Sequence, residues 1–190
     1  MLIALIPLVL GVAVGLLRGG RFDNISAAQF RQPWMVFAGL AIQVGAQLLE
    51  PKIPALHGGA GYLVLAISYA LVIGFVALNL RFPGAIFIGA GLLLNLIVIT
   101  ANGAMPVSLW AVHAAGAKSL PGLATGVKHR TMGPGSRLDF LGDIIPLPEL
   151  GVLSVGDCVL GLGIYLLVQR MVLRGADPAA GGVPTPASGG

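Results

Sequence analysis

Residues 61–101 read GYLVLAISYALVIGFVALNLRFPGAIFIGAGLLLNLIVITA, two apolar runs of about 20 residues separated by Arg81 and Pro83. Each run is long enough to cross the hydrocarbon core of a bilayer as an α-helix, which needs about 20 predominantly apolar residues. Lipid offers no hydrogen bonds to peptide groups, so such a segment must satisfy them internally as a helix. The stretch therefore predicts two consecutive transmembrane helices.

The composition of the whole chain agrees with this prediction. Of its 190 residues, 56% are hydrophobic and 9% are charged, whereas a soluble domain has about 25% charged residues. These values exclude a soluble globular domain, and they exclude disorder, which requires low hydrophobicity and high charge. The net charge of +4 would suggest a nucleic acid partner in a soluble protein. Here the basic residues lie between apolar runs, so membrane orientation explains them better and we predict no nucleic acid partner.

Several more segments have the length and composition of a spanning helix. The full set is residues 1–17, 34–49, 61–80, 83–101 and 154–173. We therefore expect an all-α fold, an integral membrane bundle of about five transmembrane helices that occupies residues 1–173. Residues 174–190 are rich in Gly, Pro and Ala, cannot bury apolar surface, and are predicted to form a disordered cytoplasmic tail.

The distribution of arginine predicts the orientation. No basic residue precedes the first apolar segment, whereas Arg18 and Arg21 follow it, so we interpret it as an uncleaved anchor with its N-terminus outside. The cytoplasmic side then holds Arg18, Arg21, Arg31, Arg81, Arg170 and Arg174, as the positive-inside rule requires. The expected location is the inner (cytoplasmic) membrane of a bacterium, with the C-terminus in the cytoplasm.

The long segment at residues 102–153 is predicted to be a folded extracytoplasmic cap. It contains too many apolar side chains to leave in water, and a structureless loop of this length is unusual. Within it, we expect Arg137 to pair with Asp139 or Asp143, because a partly buried charge needs a partner. Asp143 should lie near the outer end of the last helix.

Two polar positions in the predicted spans have both a structural and a functional interpretation. Asn95 lies in the middle of the fourth segment, where it either clamps a neighbouring helix or opens a site to the outer surface. Asp157 is the acidic residue of the fifth segment, and an intramembrane carboxylate suggests function. Ser154 and Asp157 also have the spacing of a helix capping box, with Ser154 as the N-cap. The two roles of Asp157 can coexist.

Other polar residues on the predicted helices are open to the same two interpretations. Gln43 and Gln47 share a helix face, and they form either hydrogen bonds between helices or the lining of a polar pathway. Ser68 and Tyr69 of the third segment allow the same alternatives.

The cap contains clusters of polar residues that are candidates for binding. Lys128, His129 and Arg130 form a basic triplet that either contacts lipid headgroups or neutralises nearby carboxylates. The candidate binding residues are Asn95, Asn102, Ser108, Lys128, His129, Arg130 and Arg137. Asp143 and Asp157 are the candidate catalytic residues. With a single cysteine and three widely separated histidines, we predict no metal site and no cofactor.

The motifs of the cap resemble those of an uncharacterised bacterial multi-pass membrane family, domain of unknown function 5317. The matching stretches are Asn95, NGAMPVS at 102–108, Lys128-His129, RLDFLGDIIPLP at 137–148, and SVGD at 154–157. The resemblance covers nearly the whole chain except the tail. It implies a membrane protein and no particular activity.

A weaker resemblance links the C-terminal motif to the lipoprotein signal peptidases, which are membrane aspartyl proteases. Asp157 stands where their last motif has a catalytic aspartate. Their second catalytic aspartate lies in an Asn-x-x-Asp-Arg motif, where this chain has Val98 and Ile99 after Asn95. Asp143 could replace it only if the loop folds back onto Asp157, because an aspartyl dyad needs two facing carboxylates. This departure argues against peptidase activity.

The leading hypothesis is an accessory or partner-binding membrane protein that uses its cap as the interaction surface. Its expected partners are membrane lipids and other membrane protein subunits. The alternative is a membrane enzyme, or a binder of lipid or a small solute, with a carboxylate site on the outer face. A transporter is disfavoured because the spans contain one strong charge and no detectable inverted repeat.

Overall fold

Five long helices make up most of the described chain. The computed structural model describes residues 2–57, 59–116 and 128–173, so the tail at 174–190 and the part of the predicted cap at 117–127 lie outside the described residues. The long helices are α1 (Leu2–Leu17), α2 (Trp34–Leu49), α3 (Gly59–Leu78), α4 (Ala85–Asn102) and α6 (Val155–Leu173). Each begins and ends within two residues of a segment predicted from the sequence.

Three of these helices are long and apolar enough to cross a membrane. They are α3, α4 and α6, with mean hydropathies of 2.3, 2.1 and 1.5 over their best windows. Helix α1 is apolar over a shorter stretch, Leu5–Leu17. The prediction of a mostly helical protein with membrane-length helices is therefore confirmed.

The all-α prediction is wrong between α4 and α6, where the chain forms a small sheet. Its strands are β1 (Met105–Val107), β2 (His129–Thr131), β3 (Asp143–Leu147) and β4 (Gly151–Ser154), with one short helix, α5 (Leu109–Ala114), after β1. The strand order is β2-β1-β3-β4, with β1 parallel to β2 and β3, and β3 antiparallel to β4. Buried peptide groups must be paired, and the β-branched residues in β3 and β4 favour pairing as strands over helix.

Helix α1 runs parallel to α6, and glycines allow the close approach. A Cβ on Gly11 would lie 2.9 Å from the carbonyl oxygen of Tyr165, and one on Gly15 would lie 2.7 Å from the Cβ of Val172. The Gly-x-x-x-Gly motif of α1 is thus a packing surface for α6, as small residues often are between membrane helices.

Helix α4 runs antiparallel to α6 and packs against it through glycines of both helices. A Cβ on Gly91 would lie 2.6 Å from the backbone nitrogen of Leu160, and one on Gly163 would lie 2.6 Å from that of Ile88. Gly84, which precedes α4, has a φ of +88° that favours glycine. The turn before α4 and its packing face are both specified by glycine.

The remaining contacts arrange the helices in the order α1–α6–α4–α3–α2. The Tyr62 hydroxyl of α3 bonds to that of Thr100 in α4 at 3.3 Å, and Gly39 of α2 packs on Val72 of α3. Consecutive helices α2, α3 and α4 therefore alternate in direction. The sheet packs at one end of the bundle, which we call the sheet end (residues 50–57, 102–116 and 128–154).

The opposite end of the bundle, which we call the arginine end, comprises residues 18–33, 78–85 and 170–173. Its arginines are Arg18, Arg21, Arg31, Arg81 and Arg170. Among the described residues, Asp23 is the acidic side chain at this end. The described residues of the arginine end therefore carry a net charge of +4, whereas charges balance at the sheet end, where four basic residues (Lys52, Lys128, Arg130 and Arg137) accompany four acidic ones (Glu50, Asp139, Asp143 and Glu149).

The buried core lies where α3, α4 and β1 meet. Val98 and Val107 are fully buried, and Asn95 is the polar side chain in the middle of α4. The core cluster consists of Tyr69, Val76, Ala85, Leu92, Val98, Ile99 and Met105. This packing fixes the end of α4 against the sheet, where the candidate site lies.

Candidate functional site at the sheet end

A capping box begins α6. The backbone N–H of Asp157 donates to Ser154 Oγ at 2.9 Å, and the backbone N–H of Ser154 donates to Asp157 Oδ2 at 3.2 Å. This reciprocal pair satisfies two N–H groups that a helix N-terminus leaves free. The capping role predicted for Ser154 and Asp157 is confirmed.

Asn95 joins this capping box to α4. Its Nδ2 donates to Asp157 Oδ1 at 2.8 Å, and its Oδ1 accepts from Ser154 Oγ at 2.9 Å. Gly156 lies directly against the Asn95 carboxamide, which only a residue without a Cβ permits. The structural interpretation of Asn95, a clamp between helices, is therefore the one that the geometry supports.

Tyr69 of α3 completes the group. Its side chain is buried and lies close enough to Asn95, Asp143 and Asp157 to interact with them electrostatically. Ser68 instead donates to the carbonyl of Leu65 in its own helix at 2.7 Å. Of the two polar residues predicted on this helix, only Tyr69 belongs to the site.

The second carboxyl, Asp143, lies in β3 beside the same group. Its Cα is paired with those of Val107 in β1 and Ser154 in β4, so the loop does fold back towards Asp157. The Asp143 side chain is 6% exposed. Burial, reinforced by the charge of Asp157 and opposed by that of Lys128, raises the pKa of Asp143 to about 7.

His129 in β2 faces Asp143, with its Nε2 3.6 Å from Asp143 Oδ2. Burial and the neighbouring charge of Lys128 lower the pKa of His129 below its ordinary value of 6.5. Its side chain is still 39% exposed, so water moderates this effect. At neutral pH the histidine is uncharged and the contact is not a pairing of two full charges.

Asn102 holds the backbone of the cap at Arg137. Its Oδ1 accepts from the backbone N–H of Arg137 at 2.8 Å, and its Nδ2 donates to the carbonyls of Arg137 at 2.7 Å and Val98 at 2.9 Å. A side-chain amide that hydrogen-bonds both the N–H and the C=O of one residue replaces the pairing that a neighbouring strand would supply. Asn102 is a structural clamp in this arrangement.

The prediction that Arg137 pairs with Asp139 or Asp143 is wrong. All three residues are described, and Arg137 forms a salt bridge with neither carboxylate. The Arg137 side chain is exposed, so water solvates its charge and no partner is required. Asp143 instead faces His129.

The remaining candidate residues lie around this group without joining it. Ser108 is the N-cap of α5 and accepts from the Ala111 N–H at 3.4 Å, and its own N–H donates to the Asp143 carbonyl at 3.0 Å. Arg130 is exposed on β2. Among the described residues, no group of three or more His, Cys, Asp or Glu side chains is placed to hold a metal ion.

Sequence reasoning missed Asn79, which acts at the arginine end as Asn102 acts at the sheet end. Its Oδ1 accepts from the Arg31 N–H and its Nδ2 donates to the Arg31 carbonyl, both at 2.8 Å. It also donates to the Phe75 carbonyl at 2.8 Å. The signal available in the sequence was an asparagine near the end of an apolar segment, at position 79.

A family model described as "Family of unknown function (DUF5317)" matches residues 27–169 of the chain. The protein belongs to the DUF5317 family. No curated protein and no solved structure matches the chain. The DUF5317 match extends from the segment before α2 to the last turns of α6, so it contains the whole site.

Asp157→Asn tests how far this DUF5317 carboxylate acts as a cap. We expect a loss of about 1–2 kcal/mol in the free energy of unfolding, because the charge at the helix N-terminus is lost and an amide nitrogen must face either Asn95 Nδ2 or the Ser154 N–H. Asp157→Ala should cost somewhat more. Unfolding in detergent micelles measures both values, and an unchanged stability would contradict the capping role.

The pH dependence of stability tests the Asp143–His129 pair. A raised carboxyl pKa makes the folded state lose stability as pH rises from about 4 to about 7. A lowered histidine pKa makes it gain stability as pH rises towards 6.5. The two effects oppose each other in the native protein.

Substituting either residue should therefore expose the pH dependence of stability that the other contributes. For His129→Gln, we expect stability to fall between pH 4 and pH 7, by about 1 kcal/mol or more. For Asp143→Asn, stability should rise between pH 4 and pH 6.5, by a smaller amount because His129 is partly exposed. Melting temperatures in detergent across this range measure the slopes, and slopes of equal sign in the two variants would contradict the assignment.

Proposed function

We propose that this DUF5317 member is a multi-pass protein of the bacterial cytoplasmic membrane in which all five long helices cross the bilayer. Helices α3, α4 and α6 have the length and hydropathy for crossing. Helices α1 and α2 lie alongside α6 and α3, so they share the same depth. We propose no cofactor and no nucleic acid partner for the protein.

The proposed orientation places the sheet end outside and the arginine end in the cytoplasm. The arginine end holds five arginines and one acidic residue, Asp23, in the described chain. Short loops with this excess of Arg face the cytoplasm under the positive-inside rule. The N-terminus of α1 lies at the sheet end and is therefore outside, and the C-terminus of α6 is in the cytoplasm.

The function that the geometry supports best is that of an accessory or partner-binding subunit whose sheet end is an outer cap. The observation behind this proposal is a contrast between two kinds of group. The buried side-chain polar atoms of the described residues all have hydrogen-bond partners within the chain. Large apolar side chains of the cap remain uncovered: Leu109, Trp110, Phe140 and Leu150.

This contrast favours a binding role over a catalytic role. Both oxygens of Asp157 accept hydrogen bonds from the chain, whereas a catalytic carboxylate must be free to meet a substrate. Trp110 and Phe140 are 69% and 65% exposed, and aromatic residues are enriched in the core of protein interfaces. Such a surface at the bilayer boundary suits another membrane protein subunit as its partner. Membrane lipid is the other neighbour of the cap.

A second candidate function rests on Asp143. A buried carboxyl group with a pKa near 7, beside His129 and Lys128, can exchange a proton at neutral pH, which is a common property of functional sites. This favours an enzyme or a binder of lipid or a small solute. Peptidase-like chemistry fits poorly, because Asp157 is engaged by Asn95 and Ser154.

Site-specific photo-crosslinking in cells distinguishes the two functions. A photoreactive phenylalanine analogue at Trp110 or Phe140 should yield one discrete protein adduct, whereas the same analogue at the lipid-facing Ile67 of α3 should yield lipid adducts alone. Asp143→Asn should leave the cap adducts unchanged. Lipid adducts alone at all three positions would contradict the partner-binding function.

A further inference from the structure

Helix α2 carries a partly exposed stripe beside its contact with α3, which we call the α2 stripe: Val36, Leu40, Gln43 and Gln47. The spacings of four, three and four residues are those of the a and d positions of a heptad repeat. None of the four residues is buried, and Leu40 is 50% exposed. The side of α2 with Gly39 and Ala46 is buried, Gly39 packs on α3, and the α2 stripe lies about 80° round the helix from this side.

The two carboxamides of the α2 stripe have no partner. Within residues 2–57, 59–116 and 128–173, the side chains of Gln43 and Gln47 form no hydrogen bond. Gln43 lies six residues before the end of α2 at Leu49, about 9 Å along the helix axis. If α2 crosses the bilayer beside α3, this amide faces hydrocarbon, where an unpaired polar group is costly.

We propose that the α2 stripe binds the α2 stripe of a second copy of this chain. A carboxamide is both donor and acceptor, so two identical amides satisfy each other. Two copies inserted in the same orientation place their α2 helices parallel, and a two-fold axis then brings Gln43 to Gln43 and Gln47 to Gln47. The heptad spacing matches the left-handed crossing that is common between membrane helices.

The rest of the stripe agrees with a second copy as the occupant. Val36 and Leu40 are apolar and continue the stripe from Gln43 towards the start of α2. The stripe therefore does not require a charged partner helix. Helix α2 is at the end of the helix row, and Leu40 and Gln47 are exposed beside α3, so a second copy can reach the stripe. This self-association is independent of the cap and its partner.

Disulfide cross-linking in the full-length protein tests the contact directly. In a Cys158→Ser background reconstituted in phospholipid vesicles, Leu40→Cys should form disulfide-linked dimers on mild oxidation. Ala41→Cys is the matched control, since it is also exposed but lies about 100° further round the helix. Equal cross-linking at the two positions, or none at Leu40→Cys, would overturn the proposal.

Dilution of the protein in vesicles tests the role of the amides. Single Gln43→Leu or Gln47→Leu changes should weaken dimerisation by about 3- to 30-fold, the range for one hydrogen bond between membrane helices. Phe37→Leu, on another exposed face of α2, should leave it unchanged. Leucine is compatible with a membrane helix, so folding should be preserved. Unchanged dimerisation of the double glutamine variant, or a monomeric native protein at every density, would overturn the proposal.

Discussion

Gly156→Ala is expected to destabilise the folded protein by about 3 kcal/mol or more, because the added methyl group has no space. A Cβ at this position would overlap the Asn95 carboxamide and lie 2.8 Å from the carbonyl oxygen of Gly91. Neither neighbour can move alone, since one is backbone and the other is held by Ser154 and Asp157. Helices α4 and α6 must therefore separate, which should be visible as a lower unfolding free energy in mixed micelles.

Gly161→Ala is the matched control in the same helix. The nearest atom to a Cβ there is Pro7 Cγ at 3.6 Å, an ordinary van der Waals distance. Alanine also has a higher helix propensity than glycine by up to about 1 kcal/mol. We expect this variant to be as stable as the native protein or slightly more stable. Equal losses for both variants would show that the contact between Gly156 and Asn95 does not limit the packing of α4 on α6.

Asn95→Leu is expected to cost about 2–4 kcal/mol. Leucine has a similar branched shape, so the change removes hydrogen bonds without leaving a large cavity. Asp157 loses the Nδ2 donor and Ser154 loses its acceptor, and unpaired buried polar groups cost about 1–3 kcal/mol each, with more for a charged group. The loss should appear both in equilibrium unfolding and as faster proteolysis within the cap.

Thr100→Val is the control for Asn95→Leu, because it also removes a polar group from α4 with little change of shape. Thr100 is exposed, donates to the Leu96 carbonyl of its own helix and accepts a long, exposed hydrogen bond from the Tyr62 hydroxyl. A substitution at such a position is expected to change stability by no more than about 0.5 kcal/mol. A similar loss of stability for the two variants would show that the hydrogen bonds of Asn95 contribute no more than an exposed polar group.

The helices and the capping box could be predicted because both depend on local sequence. Apolar length alone predicted five helices within two residues of their bounds, and the three-residue spacing of Ser154 and Asp157 predicted their bonds. Asn95 could be recognised as needing partners, but the partners lie 59 and 62 residues away. Their identity requires knowledge of which helices pack together, which one sequence does not contain.

The sheet and the environment of Arg137 could not be predicted for a different reason. Strands β1 and β2 are three residues long and their pairing is parallel and non-local, so no alternating pattern is long enough to recognise. Pro106 in the middle of β1 argues against a strand on propensity alone. The error at Arg137 came from assuming burial, whereas the backbone of Arg137 is held by Asn102 and its side chain stays in water.

We expect the sheet end to be an outer cap and the arginine end to be cytoplasmic. The most direct measurement is labelling of single cysteines by a membrane-impermeant maleimide in intact cells, in a Cys158→Ser background. Lys52→Cys and Gly135→Cys mark the sheet end, and Ser26→Cys marks the arginine end; all three positions are exposed. We expect the first two to be labelled in intact cells and Ser26→Cys only after the membrane is permeabilised. Labelling of Ser26→Cys in intact cells, with protection of Lys52→Cys and Gly135→Cys, would show the opposite orientation.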